Sequence, residues 1–188
     1  HNKDGGANEF IETRTKLDIE GNTLEVKDPR DPVNVTCQTN AYSIAGRLLR
    51  ETNQDKGTRW NPAAVDGAAI RRWDERGQRF RSTYDVLRRP THLHHEVGGG
   101  TETLLQRQVY GEAAASPETN NLRGRMIRLF DASGMTKTEN YDFKGNLLHS
   151  SRKLATAYTT PVDWTSIASQ TDPATIDSTA ASLLESET

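Results

Sequence analysis

Tyr141-Asp142-Phe143-Lys144-Gly145 is followed directly by Asn146-Leu147-Leu148-His149-Ser150-Ser151, a tight turn signal running into a strand-like stretch. The same aromatic-Asp-x-x-Gly frame stands at Trp73-Asp74-Glu75-Arg76-Gly77 and at Phe130-Asp131-Ala132-Ser133-Gly134. Looser copies lie at Leu17-Asp18-Ile19-Glu20-Gly21, Tyr42-Ser43-Ile44-Ala45-Gly46 and Asn121-Leu122-Arg123-Gly124. Tyr84-Asp85-Val86-Leu87-Arg88-Arg89-Pro90 keeps the start and lacks the glycine. Glycines 67 and 77, 124 and 134, and 134 and 145 are 10, 10 and 11 residues apart, which marks a repeated unit.

A strand of five or six residues and a turn of three or four sum to about ten, the spacing of a β-meander. An Asp at the head of a turn accepts backbone N–H bonds from residues ahead of it. A Gly three positions on takes the left-handed conformation that closes the turn. Each frame therefore reads as strand end, turn and next strand, with the aromatic as the last strand residue. Positive φ is expected at Gly77, Gly134 and Gly145, and Phe80, Tyr84, Phe130 and Tyr141 are expected to be the most buried residues. The fold class is mainly β: antiparallel hairpins of a curved sheet, with short helices after about residue 160.

Four regions follow. Residues 1–16 form a Gly/Asn-rich lead and a first strand, with alternation from Glu9 to Leu17. Residues 17–154 are the repeat segment, broken by a proline loop at Asp28-Pro29-Arg30-Asp31-Pro32 and by an insertion over about 98–120 that holds one strand at Leu104 to Tyr110. Residues 155–188 are loop and short helices. There, Asp163 and Asp172 are N-cap candidates, Pro173 suits the first helical position, and Ile176, Ala180, Leu183 and Leu184 make a helical stripe. The acidic end without a closing element reads as a cut from something longer.

Composition limits the function classes. Only 33% of the 188 residues are hydrophobic and the mean hydropathy is −0.80, lean for a two-layer globule. No stretch approaches the roughly 18 apolar residues of a membrane span. One cysteine, Cys37, excludes an internal disulfide. Residues 71–92 and 121–153 each carry seven Lys or Arg against three Asp or Glu. Because those arginines alternate with aromatics, a half-solvated strand explains them better than a nucleic-acid face.

His92-Leu93-His94-His95-Glu96 puts His92 and His94 on one face of an extended strand, a spacing that suits zinc, and His92, His94 or Glu96 would serve a small hydrolase or nuclease as a further alternative. No second ligand cluster accompanies it, so polar strand residues are the expected reading. Asp74, Asp131 and Asp142 read as turn caps rather than acid catalysts or calcium ligands. Gly98-Gly99-Gly100-Thr101 lacks the Lys-Ser/Thr ending of a phosphate loop. Asn34-Val35-Thr36 is a glycosylation sequon. No catalytic, cofactor or metal residue is expected, and exposed Trp60 and Trp73 leave a carbohydrate- or protein-binding surface as the alternative.

Tyr141-Asp142-Phe143-Lys144-Gly145-Asn146-Leu147-Leu148 through Arg152, with Trp73-Asp74-x-Arg76-Gly77, Tyr84-Asp85-x-Leu87-x-Arg89-Pro90, Val109-Tyr110-Gly111-Glu112 and Asn121-Leu122-Arg123-Gly124, resembles the YD-repeat or Rhs family. The closest likeness is to the shell-forming subunits of insecticidal toxin complexes, over most of residues 17–165. The resemblance implies a β-sheet wall around a toxic polypeptide, with neighbouring YD repeats and that enclosed toxin as partners, in a secreted or cell-surface protein. Trp73, Asp74, Gly77, Tyr84, Asp85, Phe130, Asp131, Gly134, Tyr141, Asp142 and Gly145 become its structural repeat positions. Relatives use hundreds of residues to close a shell. This stretch contains neither a variant C-terminal toxin domain nor the aspartate-protease-like motif of the family, so no catalytic property is carried over.

Overall fold

A computed structural model describes residues 12–28 and 35–186. Glu9 to Ile11, most of the proline loop and Asn34 of the sequon lie outside them. The chain divides into two compact units, His1–Gln78 and Arg79–Thr188.

The first unit holds β1 (Arg14–Leu17), β2 (Thr23–Lys27), β3 (Thr36–Tyr42), β4 (Leu48–Asn53), β5 (Gly57–Trp60) and β6 (Arg71–Asp74). Each pairs antiparallel with the next in chain order. This is the meander the ten-residue spacing predicts. None of its described residues is fully buried. Cross-strand pairs hold it instead: Trp60 stacks on Trp73 with centroids 5.9 Å apart, and the Thr52 and Thr58 hydroxyls meet at 3.2 Å. Such pairs are each worth roughly 0.2–1 kcal/mol. The Cys37 thiol donates to the Val26 carbonyl at 3.3 Å.

The second unit starts within β7 (Gln78–Tyr84) and continues through β8 (Pro90–Val97), β9 (Thr103–Tyr110), β10 (Met126–Asp131), β11 (Gly134–Tyr141) and β12 (Leu147–Leu154). Again each strand follows its neighbour antiparallel. Within residues 98–120, β9 is an ordinary member of the sheet, paired to β8 and β10. The long connection runs from Gly111 to Arg125, and Asn121-Leu122-Arg123-Gly124 ends it as a turn in which Arg125 N–H donates to Leu122 O at 3.0 Å.

After β12 the chain folds back over one face of β9–β11. It forms a 3-10 turn at Thr165–Ile167, the helix α1 (Pro173–Ala180) and a second 3-10 turn at Ala181–Leu183. Asp172 caps α1 as expected, accepting from Thr175 N–H at 2.9 Å, with Pro173 in the first turn. Asp163 does not cap a helix. Its carboxylate accepts from Leu104 N–H and Thr165 N–H, both at 3.0 Å, and so ties the segment to β9.

The hydrophobic core lies between that segment and the strands. Leu104, Ile127, Phe130 and Met135 come from the sheet, and Trp164, Ile167, Ile176, Ala180 and Leu184 from the segment. Phe130 and Trp164 rings are 5.1 Å apart, and Trp164 Nε1 donates to Asp131 O at 3.0 Å. Of the four aromatics expected to be most buried, only Phe130 is. Phe80 and Tyr84, on β7, are half-buried outside that core, and Tyr141, at the end of β11, is half-buried at its margin.

Candidate functional site: the capped turns and the histidine face

The frames at 18–21, 74–77 and 142–145 share one construction. The glycine N–H donates to the Asp carbonyl at 3.2, 3.2 and 3.0 Å, and Gly21, Gly77 and Gly145 have φ of 89°, 79° and 89°. Asp18 Oδ1 also accepts from Glu20 and Asn22 N–H, and Asp74 Oδ1 from Arg76 and Gln78 N–H at 3.0 Å. These bonds occupy the carboxylates as turn caps. The Asn146 side-chain amide, at 2.6 Å, holds the Asp142 carboxyl below its ordinary range, and the Asn22 amide does the same for Asp18. Ser43 replaces Asp at 43–46, its hydroxyl accepting from Arg47 N–H at 3.2 Å.

At 85–88 the glycine is missing and Arg88 itself adopts φ 64°. Here burial pushes the Asp85 carboxyl up, but bonds from Arg89, one of them a 2.7 Å ion pair, prevail and leave it lowered. Arg89 also bridges to Glu112 at 3.0 Å and lies 4.0 Å over the Tyr110 ring. Arg125 covers Tyr141 in the same way at 4.5 Å.

The frame at 130–134 is built differently. Asp131 and Gly134 face each other across β10 and β11, so only Ala132 and Ser133 form the loop. Gly134 has the expected positive φ, 134°, but it serves a second constraint: a Cβ there would overlap the Lys153 carbonyl of β12. Asp131 pairs with Arg152 at 3.0 Å.

On β8, alternation puts His92 and His94 on one face, as expected, and Glu96 with them. His92 Nε2 lies 3.1 Å from Ala168 O; a carbonyl only accepts, so this nitrogen carries the proton and Nδ1 accepts from the hydroxyl of Thr83 or Thr91. Burial pushes its pKa down, and the neighbouring Arg107 charge adds to this. His94 stacks on His92 with centroids 5.8 Å apart and has Glu102 at 3.5 Å. Burial and Arg81 push His94 down, against Glu102 and Asp163. Glu96 pairs with Arg79 at 3.1 Å, while His95 stacks on Phe80 at the other face. Among the described residues no three His, Cys, Asp or Glu are grouped to hold a metal ion. Trp60 and Trp73, the expected exposed aromatics, are half-buried against each other.

Two arginines under the C-terminal segment were not foreseen as anchors. Arg107 is 5% exposed and donates from Nη2 to Gln170 O; Arg128 is 8% exposed and grips Asp177 through two bonds of 2.8 and 2.7 Å. An arginine inside Met126-Ile127-Arg128-Leu129-Phe130 is the signal that could have marked the second, since a charge in an apolar run requires a buried partner.

No protein-family model matches the sequence, and no curated protein matches it. Solved structures do. The Photorhabdus luminescens Tc holotoxin pore with a TccC3 mutation superposes over 96% of this chain with a TM-score of 0.78 and 20% identity. The fold is that of the Tc toxin chains. TcdB2-TccC3-Cdc42 matches 93% of this chain (TM-score 0.76, 19% identity), and TcdB2-TccC3-TEV matches 92% (0.74, 21%). In each case this chain spans only 8% of the length of the other. No helix among the described residues is long and apolar enough to cross a membrane.

Proposed function

We propose that this chain is a segment of a YD-repeat wall that encloses a toxic polypeptide until delivery, within a secreted toxin complex. The observation that carries the reading is the antiparallel sheet whose strands follow chain order, with Asp- or Ser-headed turns at 18–21, 43–46, 74–77, 85–88 and 142–145, matched over nearly all its length to Tc toxin chains. A wall needs a sheet whose turns are fixed by local bonds rather than by a deep core. The first unit, with no fully buried residue among those described, is built that way.

The chain has a structural and not an enzymatic role. Every carboxylate of the frames caps a turn or pairs with an arginine, and both ring nitrogens of His92 are engaged. An acid or base needs reach to a reacting atom of about 3 Å.

The test is a chimera in which residues 12–186 replace the matching strands of a TcdB2-TccC3 assembly. Its hypervariable C-terminal region should resist added protease to the same degree as in the parent assembly measured alongside. A soluble chimera whose cargo is digested would overturn the wall reading. Catalytic turnover by the purified chain that is lost on joint substitution of His92, His94 and Glu96 by Ala would overturn the non-enzymatic one.

A further inference from the structure

The two arginines under the C-terminal segment are buried in different company. His92 of β8, Arg107 of β9 and Phe130 of β10 stand opposite one another in register, so Arg107 lies on the face that the segment covers. It is 5% exposed. Arg128 is buried nearly as far, but Asp177 takes two of its N–H groups at 2.8 and 2.7 Å, and the Ile127 carbonyl accepts from Nη1 at 2.9 Å. A buried charge bonded to a counter-charge is the ordinary arrangement.

Arg107 has no such partner. Its Nη2 donates to Gln170 O, and among the described residues nothing accepts from Nε or Nη1, which carry most of the N–H groups of a guanidinium. The nearby carboxylates are engaged elsewhere: Glu102 with Arg81 at 2.9 Å, Asp163 with the N–H groups of Leu104 and Thr165, and Asp177 with Arg128. Burial pushes the guanidinium pKa down with no carboxylate opposing it, and the Arg107 charge in turn helps to depress His92. Gln170 Oε1 is also buried without a donor, so this acceptor and those N–H groups stay apart under the same stretch of chain.

We infer that Arg107 Nε and Nη1 hold a small monovalent oxyanion, of the size of formate or hydrogencarbonate, and that this ion fastens residues 168–170 to β9. A guanidinium keeps its proton, so the site cannot discharge itself as a buried lysine would. A neutral bridging group would satisfy the N–H groups and leave the charge. The counter-charge therefore comes from outside the described residues. Because Arg107 is almost wholly covered, the ion is one of a few atoms rather than a side chain of another protein, and carboxylate-type oxygens are the acceptors a guanidinium binds best. The inference stands on Arg107 itself and does not depend on the wall reading.

Thermal unfolding of the full chain at about pH 8, where His92 and His94 are neutral whether folded or not, tests it, with sodium formate replacing sodium gluconate at constant ionic strength. Gluconate is too large for the site. The wild-type midpoint is expected to rise by about 3 °C or more and then level off, the form of a single saturable site. Arg107→Met should abolish the rise, while Arg79→Met, at an exposed arginine paired with Glu96, should keep it. If Arg107→Met does not fold, Arg107→Gln takes its place and should lose the rise equally. A wild-type midpoint that is unchanged, or that climbs in proportion to formate without levelling as a general salt effect does, would overturn the inference whether or not the variants fold. So would a saturable rise that survives loss of the Arg107 charge, since the ion then sits elsewhere.

Discussion

At the scale of single residues, Asp and Gly of the frame do separable jobs. Asp supplies acceptors that the turn backbone cannot provide for itself, and Gly supplies a conformation that L side chains avoid. Gly145 and Gly134 look alike in sequence, yet they differ in cost. A Cβ on Gly145 would meet only the end of the Arg125 side chain, which can move, so Gly145→Ala should cost about 1 kcal/mol for its positive φ. A Cβ on Gly134 would meet the backbone of β12, which cannot, so Gly134→Ala should cost about 3 kcal/mol or more. Urea denaturation of the two variants checks the difference; equal losses would show that φ strain alone sets both. The turn positions were legible because their determinants lie within five residues. The second constraint on Gly134 was not, because it comes from a strand about twenty residues away.

Among the elements, the C-terminal segment couples packing to protonation. Its Ala168 carbonyl rests on His92, which is flanked by Arg107, His94 and Arg81 and faces the hydroxyls of Thr83 and Thr91. His92 and His94 have folded pKa values below the ordinary 6.5, so the unfolded chain binds more protons in the window beneath 6.5. Stability is therefore full above pH 6.5 and falls as pH drops below it. Protection factors over residues 162–184, corrected for the intrinsic exchange rate at each pH, should fall between pH 7 and pH 5, and His92→Gln should reduce that change. A segment equally protected at both values would contradict the coupling. The lowered carboxylates Asp18 and Asp142 add a second loss, as pH falls below their ordinary 3.8.

Burial at the same place should dominate any single substitution. Trp164 is 0% exposed and packs on Phe130, so Trp164→Ala should cost about 3–5 kcal/mol, read by thermal or urea unfolding. Strands, turns and the Asp172 cap could be read from local pattern. What could not be read was which face of which strands the segment would cover. That depends on contacts such as Leu104 N–H to Asp163, 59 residues apart, and without them Phe80, Tyr84 and Tyr141 look as good a core as Phe130.

Across the whole molecule, the two units divide the apolar material unequally. Among the described residues all the buried core belongs to the second, so its amides on β9, β10 and β11 should exchange far more slowly than those in β1 to β6. Equal protection of both would contradict the assignment of the core. The low overall hydrophobicity anticipated a small core, but not that the buried residues, among those described, would all lie in one unit. His92 and His94 were legible as a pair on one face; that the C-terminal segment would cover His92 was not. The central claim is that these hairpins are wall. Electron cryo-microscopy of the chimera carrying residues 12–186 tests it most directly: the account predicts a closed shell in which these strands continue the flanking sheet in register, and a shell with a gap or a detached segment at that place would contradict it.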